Sequence, residues 1–186
     1  MLGEFDGQPF DMVTGTSVAV AAEGGNLVYG DSFSGEVSVY NAAGKLLRIF
    51  RLTDPRQRLT DADVEARLAR TIPTNVTGTA RTERLARLRS LPHSDTWPLY
   101  FGLQLSREGV VWLHDFNRED ASANVWTGID STGQVIGRLE LSKVPPRTRR
   151  PVVHEFGANY VMLRRFDADM ANYLSTYPLV RVDNRR

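Results

Sequence analysis

Between residues 27 and 52 the chain reads LVYGDSFSGEVSVYNAAGKLLRIFRL. Turns rich in Ser, Asn and Gly separate three short β-rich runs, and the middle run, residues 36–40, alternates apolar and polar side chains with the period of a half-buried strand. Residues 17–22 form a further run before them, followed by a Glu-Gly-Gly-Asn turn. The pattern predicts four consecutive antiparallel strands joined by tight turns.

The same pattern returns downstream, so the chain is built from repeats. The second copy has runs at residues 100–105, 110–115, 124–129 and 134–141. Gly44 and Gly133 close the third turn of the two copies, a position where a positive φ favours glycine. An incomplete third copy runs through residues 152–156, 160–164 and 173–180. It stops at its third strand.

Four-stranded units of about 40 residues are typical of β-propeller blades. The alternative is a meander or sandwich of unrelated strands, but the copies preserve strand order, turn position and glycine together, which a sandwich does not require. We therefore predict an all-β fold of about three four-stranded antiparallel blades, half of a six-bladed propeller, as a single domain over residues 1–186.

Residues 54–97 break the pattern, because their apolar side chains recur with the period of a helix. Thr60 resembles an N-cap followed by first-turn acids and predicts a helix over residues 63–70, and a second helix is predicted over residues 79–91. The segment is thus expected to be a helical insertion between blades.

Charge is concentrated in that insertion, although the whole chain has a formal charge of only +1. Eight arginines face four acids between Arg56 and Arg89, which indicates either a solvated helix face with ion pairs or a contact surface for an anionic partner. No nucleic-acid motif accompanies them, so no nucleic acid is expected as partner. The candidate binding surface comprises Arg81, Arg84, Arg87, Arg89 and Trp97.

Composition excludes several classes of site. The chain has no cysteine, which excludes disulfides, thiol catalysis and cysteine-ligated zinc. Its apolar runs are too short to span a membrane, and residues 1–6 lack the regions of a signal peptide, so the compartment stays open. We also find no nucleophile elbow, phosphate loop or dinucleotide fingerprint, and His93, His114 and His154 lack metal-ligand spacing. No catalytic residue or cofactor is predicted.

The number of blades implies a partner. Without the insertion the chain suffices for about three and a half blades of about 42 residues, whereas a closed propeller needs about four or more. Either the chain is a piece of a longer propeller protein, or two copies join so that three blades plus three make six. We expect the second, a homodimer.

Residues 26–51, the start of the insertion at residues 60–65 and the next blade at residues 109–113 resemble bacterial six-bladed β-propeller proteins of the NHL and TolB-like type, most closely their C-terminal half. The resemblance implies the fold but no reaction, and such proteins are often exported. The expected function is therefore a non-enzymatic binding or scaffold module.

An alternative that the resemblance implies is a metal-dependent hydrolase, because related six-bladed propellers include calcium-dependent lactonases whose ion lies in the central channel. The equivalent blade positions here are Asp31 and Asp115, the candidate Ca²⁺ ligands, but the third copy has Arg165 there. Trp112 and Trp126 occupy matched strand positions, which predicts packing between blades rather than a ligand platform.

Overall fold

The fold consists of three antiparallel sheets. It is seen in a computed structural model that describes residues 18–91, 94–116, 124–141, 151–166, 169 and 171–180. Blade 1 contains β1 (Val18–Glu23), β2 (Asn26–Asp31), β3 (Glu36–Asn41) and β4 (Leu46–Arg51); blade 2 contains β5 (Tyr100–Leu105), β6 (Val111–Asp115), β7 (Asn124–Ile129) and β8 (Val135–Leu141); blade 3 contains β9 (Val152–Phe156), β10 (Tyr160–Phe166) and β11 (Asn172–Pro178).

Within each blade, every strand pairs with its neighbour in sequence, and the three blades follow one another in space. Strand order is β1-β2-β3-β4, β5-β6-β7-β8 and β9-β10-β11. The first strand of blade 1 lies against the first strand of blade 2, β5, which in turn contacts β9 of blade 3. The first strands therefore form the inner line of the stack, as in a propeller. The predicted all-β fold of propeller-like blades with two helices is confirmed.

The repeated turn has the same geometry in blades 1 and 2. Asn41 Oδ1 accepts hydrogen bonds from the amides of residues 43 and 45, and Asp130 Oδ1 accepts from those of residues 132 and 134. Gly44 and Gly133 follow with φ of 74° and 89°. A side-chain acceptor at the first position and a glycine at the fourth thus fix both hairpins, which is why the sequence repeats there.

Blade 1 packs on blade 2 through inward-facing apolar side chains. Val28, Val37 and Phe50 meet a blade 2 surface that includes Leu103 and Val111. The Tyr100 ring fits against Gly30, and its hydroxyl donates to the carbonyl of residue 36 at 3.4 Å. Burial, with the charge of Asp31 adding, raises the pKa of Tyr100 well above its ordinary value.

Aromatic side chains join blade 2 to blade 3. The Trp112 ring stacks on Phe156 with centroids 4.3 Å apart, and Trp126 meets the same ring edge-on at 5.3 Å. Val153 and Leu163 complete this cluster. The prediction that both tryptophans pack between blades is confirmed, because alternation along β6 and β7 directs them away from blade 1.

Two helices, α1 (Asp61–Thr71) and α2 (Gly78–Arg89), lie between β4 and β5. Thr60 caps α1 through a capping box with Asp63, so this helix begins two residues earlier than the sequence predicts. Val64 and Leu68 of α1 pack with Leu88 of α2 in a separate core. Within the part of the chain that the structure describes, neither helix is long and apolar enough to cross a bilayer.

Candidate functional site

A pocket of about 430 Å³ lies where the helical insertion meets the blades. The segment after β4 and the segment before β5 form one side of it, and blade 2 forms the other. Its apolar walls include Leu52, Leu99, Leu113, Phe116 and Val135, and its polar lining comprises Asp54, Gln57, Asp115, Thr127 and Arg138. We refer to it as the insertion pocket.

Asp115, at the end of β6, is the carboxylate that blade 2 holds in this pocket. Its Oδ2 accepts a hydrogen bond from Thr127 Oγ1 at 3.0 Å and lies 3.3 Å from Arg138 Nε. Burial raises the pKa of Asp115; the bond from Thr127 and the charge of Arg138 act in the opposite direction, while Asp54 adds a negative charge. A partly desolvated carboxylate next to a second acid is suited to binding a cation.

The two candidate Ca²⁺ ligands have local roles in the structure. Asp31 Oδ1 accepts the amide hydrogen of Phe33 at 2.9 Å and so caps the turn after β2. Asp115 is held by Thr127 and Arg138 within its own blade. Among the residues that the structure describes, no group of three His, Asp or Glu side chains is arranged to hold a metal ion.

The predicted arginine surface divides into two pairs. Arg89 forms two hydrogen bonds to Glu65, of 2.7 and 2.6 Å, which lowers the pKa of that carboxyl, and Arg81 donates to the carbonyl of residue 69 at 3.1 Å. These two arginines tie α2 to α1. Arg84 and Arg87, by contrast, line an exposed groove on α2 with Leu88.

Trp97 lies apart from the exposed groove that Arg84 and Arg87 line. It is only 5% exposed, stacks on Phe116 with ring centroids 4.9 Å apart, and has the Arg67 guanidinium 5.4 Å above its ring. The reason is that Trp97 closes the base of the helical core, where the chain returns to the blades. It lines the insertion pocket instead.

Sequence reasoning missed most of the insertion pocket. Asp54, Gln57 and Arg138 come from segments far apart in the sequence, and no motif links them. The available signal was the alternation along β6 and β7, which places Asp115 and Thr127 on the same face as the residues that pack on blade 1.

Solved structures resemble this chain only distantly. No protein-family model and no curated protein matches the sequence. Solved structures similar to it include a protein of unknown function from Bacteroides caccae, with 11% identity and a TM-score of 0.28 over 87% of this chain and 45% of that one. A second is a catalytically inactive virginiamycin B lyase from Staphylococcus aureus with quinupristin, with 12% identity and a TM-score of 0.28 over 92% of this chain and 58% of that one.

A streptogramin B lyase structure is similar at 8% identity and a TM-score of 0.22, over 90% of this chain and 70% of that one. The chain thus spans about half the length of the first two structures. At such low TM-scores the likenesses say nothing about function.

Proposed function

We propose that this chain is a non-enzymatic binding module, a half-propeller domain over residues 1–186 with residues 54–97 inserted, related to the NHL and TolB-like propellers. Two copies pair to complete a six-bladed ring. The observation that supports this proposal is the exposure of large apolar side chains on the sheet faces at the two ends of the blade stack. In a closed propeller, each such face is covered by the next blade.

The first of these faces belongs to blade 1 and points away from blade 2. Strand pairing places Leu27 opposite Tyr40 and Ser38 opposite Ile49, whereas Val28 and Val37 point towards blade 2. Leu27 is 40% exposed and Ile49 38%. We call this surface the blade 1 end face.

The second belongs to blade 3. Arg164 pairs with Val152 on one side and with Leu174 on the other, so the three share the face opposite to Leu163, which packs on blade 2. Val152 is 45% and Leu174 55% exposed. We call this surface the blade 3 end face. Within the described residues, β11 forms the outer edge of blade 3 and pairs only with β10.

Both end faces also carry charged side chains of either sign. Asp31, Glu36 and Arg51 lie on the blade 1 end face, where Glu36 is paired with Arg51, and Glu155 and Arg164 lie on the blade 3 end face. A two-fold axis would place blade 3 of each copy on blade 1 of the other. Both contacts are then identical, and the ring closes with no end face left in water.

Light scattering on the purified chain tests the proposal. We expect a mass twice the 20.8 kDa of one chain. Ile49→Asp, which introduces a charge into the blade 1 end face, should give the single-chain mass with unchanged circular dichroism. Ile136→Asp is the matched control, because this residue is 44% exposed, against 38% for Ile49, and also lies on the last strand of its blade, but in blade 2. A monomeric parent chain, or equal effects of the two substitutions, would overturn self-association.

For a partner outside the ring, we propose the exposed side of α2 as the contact surface. Arg84 and Arg87 carry positive charge there against one acid, Glu83, and Leu88 and Leu91 line the same groove. An acidic peptide with apolar residues complements such a groove. A fluorescein-labelled peptide of alternating Glu and Leu should bind, and the double variant Arg84→Gln and Arg87→Gln should abolish binding. Arg70→Gln, on α1, should leave it unchanged.

A further inference from the structure

We propose that the outer edge of β11 binds an extended peptide of a partner protein, with large apolar residues at alternate positions, as the fourth strand of blade 3. Within the described residues this blade has three strands, and β11 pairs only with β10. A strand edge presents its N–H and C=O groups in the plane of the sheet. The site is therefore distinct from the blade 3 end face and does not depend on the proposed self-association.

The edge of β11 lacks the features that protect the outer edges of blades 1 and 2. Strand β4 carries two arginines, β8 carries an arginine and a glutamate, and the pairing of each with its neighbour contains a register shift, as at a β-bulge. Strand β11 has no charged residue, its one proline is the last residue, and all seven residues pair with β10 in one unbroken register. Charges and bulges keep natural edges from pairing with a further strand, so this regular, uncharged edge favours such pairing.

Blade 1 shows what a fourth strand does in the equivalent position. Strand β4 continues the sheet of blade 1 and directs Phe50 towards blade 2, where its ring lies next to Gly133 in the turn before β8. Arg48 of the same strand donates to the carbonyl of residue 131 at 2.7 Å. The last strand of blade 1 thus contacts the last hairpin of blade 2. A strand paired with β11 would make the equivalent contact between blade 3 and β8.

Apolar side chains surround the position of that strand. Leu139 and Leu141 of β8 pack against the core between blades 2 and 3, yet both are only half-buried. On β11, Tyr177 is paired with the buried Val161, and Tyr173 lies on the same side of the strand. These two tyrosines are 37% and 47% exposed. A peptide with apolar residues on this side would extend an existing core, while its backbone supplies the hydrogen bonds.

Fluorescence anisotropy tests the proposal on the full chain, with a labelled peptide as long as β11, made of alternating Thr and Ile and carrying a soluble tail. β-Branched residues favour the extended form, and the lack of charge gives the peptide no attraction to the arginines on α2. We expect saturable binding that the double variant Arg84→Gln and Arg87→Gln leaves unchanged. Light scattering on the same samples reports self-association separately.

Two methylated forms of the peptide show whether its backbone pairs with β11. The N–H groups of successive residues in a strand point to opposite edges, so N-methylation of every Thr blocks one edge and N-methylation of every Ile blocks the other. Neighbouring strands of blade 3 run antiparallel, and in that direction one peptide edge meets β11 when the Ile side chains face β8. One form should bind at least about 10-fold more weakly than the other, because it loses about three hydrogen bonds.

Substitutions locate the site. Tyr173→Asp places a charge beside the added strand and should weaken binding at least about 10-fold, with little change in melting temperature because the side chain is exposed. Leu47→Asp is the matched control, because Leu47 is 44% exposed, against 47% for Tyr173, but lies in blade 1. The proposal is wrong if the peptide does not bind, if the two methylated forms bind equally, or if the two variants behave alike.

Discussion

Replacing Gly30 by alanine tests whether blades 1 and 2 interlock as described. Gly30 pairs with Val37 on the face towards blade 2. A Cβ at this position would overlap with the hydroxyl of Tyr100 and lie 2.6 Å from Cδ2 of Leu103. Carbon atoms prefer separations of about 3.5–4.0 Å, so the buried side chains of Tyr100 and Leu103, or the strand that carries them, must move by about 1 Å.

Overpacking of this kind costs about 1–3 kcal/mol of the free energy of unfolding. For a chain of this length that corresponds to a melting temperature lower by about 2–12 °C. Chemical denaturation followed by tryptophan fluorescence measures the change. A Tyr100→Phe background removes the hydroxyl and should reduce the cost of Gly30→Ala.

Gly102→Ala is the matched control, since it adds the same methyl group to a strand of blade 2 with nothing within 4 Å. Alanine there should be neutral or stabilise the fold by up to about 1 kcal/mol, because it restricts the unfolded chain. If Gly30→Ala and Gly102→Ala have the same stability, the close approach of Tyr100 to β2 is refuted.

Three further predictions concern a cap, an interface and two carboxyls. Thr60→Ala should cost about 1 kcal/mol in chemical denaturation, because it removes the capping box of α1. Phe156→Ala should cost about 3–5 kcal/mol in the same assay, because the ring fills the space between two tryptophans. NMR titration should find Asp115 with a pKa above the ordinary Asp value, because of burial, and Asp130 below it, because of the bonds from its own turn.

The predictions for Thr60→Ala and Phe156→Ala each have a control substitution. Thr77 stands at the N-cap of α2 but makes no side-chain cap bond, so Thr77→Ala should have a much smaller effect than Thr60→Ala. Tyr173 is an exposed aromatic in blade 3, and Tyr173→Ala should cost far less than Phe156→Ala. Equal losses within either pair would contradict the contacts described.

The pKa shifts also fix the sign of the pH dependence. The contribution of Asp130 to stability is present above the ordinary Asp pKa and is lost as the pH falls through its lower folded value. Asp115 has the opposite sign, since its contribution is present at low pH and is lost as the pH rises through its raised value. Asp115→Asn should remove that second slope, and an unchanged slope would be evidence against a buried carboxyl.

Local patterns made the strands predictable. Alternation at residues 36–40 and the glycines at 44 and 133 depend on backbone geometry within a few residues, and the sheets have these strands and turns. The predicted bounds of the helices were less accurate. The sequence predicted that α1 begins at Asp63, whereas Asp63 lies in its first turn and its side chain helps to cap the helix.

The candidate site was mostly not predictable, because it depends on contacts between distant segments. The burial of Trp97 depends on how the insertion folds back on the blades, and the residues next to it in the sequence do not specify that contact. Equivalence of Asp31 and Asp115 in the repeat did not imply a shared site, since each carboxylate is bound by donors of its own blade. Asp54 and Arg138 meet in one pocket only after blades and insertion are assembled.

The two ends of the insertion are held together by backbone pairing. Arg58 bridges Thr96, the amide of Leu59 donates to residue 95 at 2.8 Å, and that of Trp97 donates to residue 57 at 2.9 Å. The segment therefore leaves and rejoins the blades at one point, like a module appended to a hairpin. A change in the length of the segment between these paired residues should therefore cost the blade stack little, since the positions where the chain leaves and rejoins it stay fixed.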